Sequence, residues 1–182
     1  MSKGFGEESK RKNKNVKQLF FDKEFAEGEK FYFAKNYSKA ESIFSNLNDK
    51  GYKNPNIILY LVNIYITNRS FDKAVTLLKK VLEIDNKNPT LYFNIGSIYF
   101  MKREFNKSIS YYLEGIKFDP NNASAYKNLA GCYELLSDKE NAVENYKKAY
   151  YLNKKLPQIR EKLIQLQPAI CDWSLYSLFK DW

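Results

Sequence analysis

Histidine is missing from all 182 residues. That excludes Ser–His and Cys–His nucleophile pairs and every imidazole-based metal site. Cysteine is nearly missing too. Cys132 and Cys171 alone can build neither a disulfide framework nor a four-thiolate zinc site. Cys132 stands beside Tyr133 and reads as a small core residue. No run approaches the ~18–20 apolar residues of a membrane span, and residues 1–20 contain no apolar signal region. A reducing cytoplasm is the expected compartment, and no cofactor or metal is implied.

Charge decides little. The formal net charge is +9, and residues 1–20 supply six Lys or Arg against two Glu. Lys10, Arg11, Lys12, Lys14 and Lys17 form a basic tail with little apolar content, which reads as a disordered, solvated arm. Such an arm attracts nucleic acid only unspecifically, so a nucleic-acid function is not adopted.

What is present is a 34-residue period running without insertion from Phe21 to Leu156. An aromatic recurs as Phe31, Tyr65, Tyr99 and Tyr133. A small residue follows as Ala40, Ala74, Ser108 and Ala142, and an apolar one as Phe44, Leu78, Tyr112 and Tyr146. Each unit reads as two helices; in the third these are Leu91–Met101 and Asn106–Lys117. Asn54, Asn88 and Asn122 stand where each first helix begins, and an Asn side chain there accepts an orphan N–H. Pro55 and Pro89 follow at the first helical position, where a missing N–H costs nothing.

Small residues mark the crossing of two helices: Gly28, Val62, Gly96 and Ala130 in the first, Gly115 and Ala149 in the second. Leu61, Ile95 and Leu129 are expected to fill the space around them, with Ile84, Phe118 and Leu152 closing the second helices. A period of this length means stacked helical hairpins that bury their apolar faces against their neighbours. Tyr99, Tyr112, Tyr133 and Tyr146 are read as packing between helices rather than as ligand-stacking rings.

Gly96-Ser97-Ile98-Tyr99, Phe105, Ser108, Tyr112 and Asp119-Pro120 stand at signature spacings of the tetratricopeptide repeat. The chain resembles that family in four units: 21–54, 55–88, 89–122 and 123–156. Glu27 and Lys50 depart from the pattern in the first unit. Tyr52, Asn86 and Lys154 stand where Pro120 does. The resemblance implies an all-α, right-handed α-solenoid of about four hairpins, with a capping helix at 157–167 and a short helix in the aromatic segment 168–182.

It also implies a concave groove lined by the first helices. Carried onto this sequence, the groove positions include Ala26, Glu29, Tyr60, Asn63, Asn94, Ser97, Lys127, Asn128 and Gly131. Amides at Asn63, Asn94 and Asn128 suit the backbone of an extended peptide, since each both donates and accepts. The other reading is that they bond only to neighbouring helices or water. The chaperone-binding subtype of the family clamps a carboxylate pair with Lys and Arg. Here the matching positions hold Phe25, Glu29, Leu59 and Ser124, so that function is not implied. Phe25, Leu59, Phe93, Phe100 and Met101 suggest a more apolar groove.

In the capping helix, Ile159, Leu163 and Leu166 share one face, Arg160, Glu161 and Lys162 lie outside, and Pro168 is expected to end it. The aromatic segment carries Trp173, Leu175, Tyr176, Leu178, Phe179 and Trp182 behind Asp172, and so much apolar surface calls for a partner. Cys171-Asp172-Trp173 followed by Tyr176 is similar to the junction of O-linked N-acetylglucosamine transferases, where the repeats meet the catalytic domain. With Phe179 and Trp182, these residues are the candidate junction or partner contact.

The functional expectation is a non-catalytic protein- or peptide-binding scaffold, the recruiting front end of such a glycosyltransferase. The alternative is a free-standing assembly or secretion chaperone whose aromatic end folds back or meets another copy. An interfacial membrane anchor is disfavoured, because Asp172 and Asp181 outweigh Lys180.

Overall fold

A computed structural model describes residues 4–170, with side-chain surroundings for 16–166. The described residues form α-helices only: α1 (Gly4–Phe33), α2 (Tyr37–Asp49), α3 (Pro55–Thr67), α4 (Phe71–Ile84), α5 (Pro89–Met101), α6 (Phe105–Phe118), α7 (Ala123–Leu135), α8 (Lys139–Leu152) and α9 (Ile159–Ile170). The fold is all-α, of the helical-hairpin class to which α-solenoids belong. Two compact units divide it, Met1–Leu77 and Leu78–Trp182.

The helix starts follow the sequence. Asn54, Asn88 and Asn122 each accept a backbone N–H of the first turn, from Asn56, Thr90 and Ala125, and Pro55 and Pro89 open α3 and α5. Asn36 and Asp138 cap α2 and α8 in the same way.

The hairpin turns share one geometry. Lys35, Arg69, Arg103 and Ser137 have φ of 58°, 55°, 61° and 63°. The next residue's N–H then returns to the recurring aromatic: Asn36 to Phe31 at 2.8 Å, Ser70 to Tyr65 at 2.7 Å, Glu104 to Tyr99 at 2.9 Å and Asp138 to Tyr133 at 3.0 Å. This is the Schellman closure, which satisfies carbonyls left over at a helix end and needs one left-handed residue.

Close approach of the paired helices explains the small residues. Ala40, Ala74, Ser108 and Ala142 are fully buried, and so are Leu61, Ile95 and Leu129. A Cβ on Gly28 would come within 2.7 Å of the Phe44 ring, and one on Gly115 within 2.5 Å of the Phe93 ring. In the first unit Phe21, Phe25, Phe44, Leu47, Ile57 and Ile64 form an aromatic-rich core. In the second, Tyr112, Leu129 and Cys132 form one cluster, and Tyr146, Ile159, Leu163 and Leu166 join another that seats α9 on α8. Each large aliphatic side chain buried this way contributes roughly 1.5–3 kcal/mol.

Three expectations need correction. The basic segment from residue 4 to 20 is helical and continuous with α1, not a disordered arm. Once the packed part of a helix exists, extension adds one backbone bond per residue without a new nucleus. Second, α9 runs to Ile170, so Pro168 lies within it rather than stopping it. A proline costs a helix one hydrogen bond and crowds the preceding turn, but a helix docked through Ile159, Leu163 and Leu166 is held by its earlier turns. Third, Ile84 is 89% exposed, and Phe118 and Leu152 are exposed as well. These residues end their helices, where the chain turns away from the packed face; Phe118 stacks on Tyr92 with ring centroids 5.6 Å apart. Residues 171–182, and with them Cys171, Asp172, Trp173, Tyr176, Phe179 and Trp182, lie outside the described residues.

A candidate peptide-binding cleft

In the second compact unit the helix spacing opens a cleft of about 300 Å³. Three elements wall it. From α5 come Ser97, Phe100 and Met101, one helical face at spacings of three and four. From α7 come Lys127, Asn128 and Gly131, from the turn before α9 comes Gln158, and from α9 comes Lys162. Tyr112 of α6 and Tyr146 of α8 form the floor. Their rings are buried, as packing residues should be, while their hydroxyls reach the polar groups of the cleft.

Those hydroxyls are held. Tyr112 and Ser97 share a hydrogen bond of 2.8 Å. The Tyr112 phenol is pushed up by burial, an effect that hydrogen bonds from Ser97 and Asn128 partly oppose. Tyr146 donates to Glu134 Oε2 at 2.9 Å, and burial, followed by that bond to a carboxylate, drives its pKa far up. Both floor hydroxyls therefore stay protonated at neutral pH. Gly131 lies between Phe100 and Tyr146: a Cβ there would meet Phe100 at 3.8 Å and the Tyr146 oxygen at 4.0 Å.

Behind the wall sits an ion pair. Lys162 Nζ donates to Glu134 Oε1 at 2.6 Å, so both oxygens of Glu134 are engaged. The expectation that Lys162 lies outside with Arg160 and Glu161 is corrected here. It flanks the buried stripe of Ile159, Leu163 and Leu166 closely enough to reach across to α7.

Of the groove residues expected from sequence, the cleft gathers Ser97, Phe100, Met101, Lys127, Asn128 and Gly131. Asn94 lies on α5, half-buried and outside the cleft lining. Tyr60 and Asn63 belong to the first compact unit. There Tyr60 donates to Glu29 at 2.8 Å and stacks on Phe44 with centroids 5.0 Å apart. Asn63 is half-buried, and its backbone carbonyl accepts from Thr67. Phe25 is core and Leu59 is exposed. Glu134, Gln158 and Lys162 were not identified from sequence. The available signal was the position of Lys162 at the edge of an apolar stripe.

Three family models match the chain: one described as TPR repeat over residues 63–103, and two described as tetratricopeptide repeat over 89–122 and 111–160. None of the curated proteins matches it. Among solved structures, it is similar to a crystal structure of MamA protein at 19% identity and a TM-score of 0.72, covering 83% of this chain and 82% of that one. MamA 41-end from Desulfovibrio magneticus RS-1 aligns at 14% identity with a TM-score of 0.73, covering 86% of this chain and 89% of that one. At such identities the likeness concerns the fold.

Proposed function

From a chain that carries tetratricopeptide repeats across residues 63–160, we propose a non-catalytic scaffold that holds an extended segment of a partner protein in the α5–α7–α9 cleft. The observation that carries this reading is the meeting of Ser97, Lys127 and Asn128 with the apolar Phe100 and Met101 in one concave site. A peptide backbone needs donors and acceptors at intervals, and its side chains need apolar surface. The cleft offers both. Asn94, on α5 of the same compact unit, would extend the contact beyond the cleft lining. The glycosyltransferase-like motif at Cys171 to Tyr176 lies outside the described residues, and no part of this proposal rests on it.

Arrayed extended peptides probed with the wild-type chain and with Asn128→Ala test the reading. Loss of one amide contact should weaken captured peptides about three- to tenfold, with helicity by circular dichroism unchanged. Equal capture by both proteins removes Asn128 from the site.

A further inference from the structure

We propose that the cleft selects peptides that place a carboxylate beside a large apolar side chain, an inference that rests on the peptide-binding reading above. The charge inventory is one-sided. Lys127 and Lys162 line the cleft, and no Asp or Glu does. The nearby acid, Glu134, gives one oxygen to Tyr146 and the other to Lys162. It therefore balances one of the two cations, and the cleft keeps one positive charge in excess. Lys127 is half-buried and makes no ion pair among the described residues.

Ligand chemistry follows from that imbalance. A neutral peptide covering Lys127 strips water from an ammonium and returns nothing for it. A basic peptide adds repulsion. A carboxylate supplies the missing partner, and a charge-assisted bond of this kind is stronger than a neutral one. Lys162 keeps two further N–H donors besides the one on Glu134. Asn128, Gln158 and Ser97 can add neutral donors. Beside them Met101 is 42% exposed at the end of α5 and Phe100 lines the same wall, which gives an apolar side chain a seat next to the charge. Single-stranded nucleic acid needs cations in succession along its backbone, and two lysines in one cleft do not provide that track.

The test is fluorescence anisotropy of the full chain with three labelled peptides. In these, leucine and phenylalanine alternate with aspartate, with asparagine or with lysine. The aspartate peptide should bind about tenfold more tightly than its asparagine copy, and added salt should shrink the difference. Lys127→Gln should abolish most of that preference, and Lys127→Glu should turn it toward the lysine peptide. Lys127 is the variant of choice because it holds no ion pair of the fold, whereas Lys162 does. Equal binding of the aspartate and asparagine peptides overturns the charge selection and leaves peptide binding standing. Binding of none of the three overturns the peptide-binding reading itself.

Discussion

Lys162 reaches from α9 to Glu134 on α7 and places Nζ 2.6 Å from Oε1. The pair is partly exposed, so its contribution is the modest one of a screened ion pair reinforced by the Tyr146 bond. Glu134→Gln should cost about 1 kcal/mol in urea unfolding. Amide hydrogen exchange should show the loss concentrated in α9. Uniform loss across both compact units would mean that the pair does not hold α9 in place.

The left-handed turn residues invite a substitution in the stabilising direction. Arg103 occupies φ of 61°, where a side chain costs roughly 1–2 kcal/mol and glycine costs none of that strain. Glycine is more flexible when unfolded, which offsets part of the gain. Arg103→Gly should raise unfolding free energy by up to about 1 kcal/mol, measured by chemical denaturation. A decrease would show that the Arg103 side chain contributes more than its backbone costs.

Two glycines should respond in opposite ways. Gly28 sits 2.7 Å, from a hypothetical Cβ, to a Phe44 ring that is fully buried. That ring cannot retreat, being stacked on Tyr60 and packed against Phe25. Gly28→Ala should destabilise by about 1–3 kcal/mol. Gly131 meets only ordinary contacts at 3.8 Å and beyond, so Gly131→Ala should be neutral or stabilising by up to about 1 kcal/mol through helix propensity. Melting temperatures of the two variants would separate, and equal shifts would contradict the packing described.

Alkaline pH should weaken the fold through its tyrosines. Burial first, then the bond to Glu29, pushes the Tyr60 phenol up from 10.0 to about 12. Burial, then the bond to Asp22, raises Tyr52 as well. A raised folded-state pKa means that the folded chain keeps its proton while the unfolded one releases it. The stabilisation is complete below pH 10 and is lost as pH rises to about 12. Thermal melts across that window should fall, and Tyr60→Phe should flatten the fall.

The hairpins were legible in the sequence because they depend on short-range rules. Asn54, Asn88 and Asn122 cap, Leu61, Ile95 and Leu129 bury, and the small residues permit close crossing. The α5 and α7 walls of the cleft were legible for the same reason: Ser97, Phe100, Met101, Lys127, Asn128 and Gly131 lie on first-helix faces fixed by the repeat. The third wall depends on how α9 is rotated against α7 and α8. Lys162 and Glu134 are 28 residues apart, and no periodicity relates them. Local composition misled at the N-terminus, where Lys-rich residues read as an arm although lysine is a good helix former. Ile84 misled because an apolar type at a repeat position does not by itself mean burial.

The dual placement of α9 also sets an order of events during synthesis. Its apolar stripe closes the last hairpin, and its Lys162 and Gln158 complete the cleft. Until the residues after α8 have left the ribosome, the walls from α5 and α7 stand without the third. At that stage Glu134 has no Lys162 to pair with. On the proposed reading, recognition competence arrives late, with α9, and a partner that needs the finished cleft must wait for it.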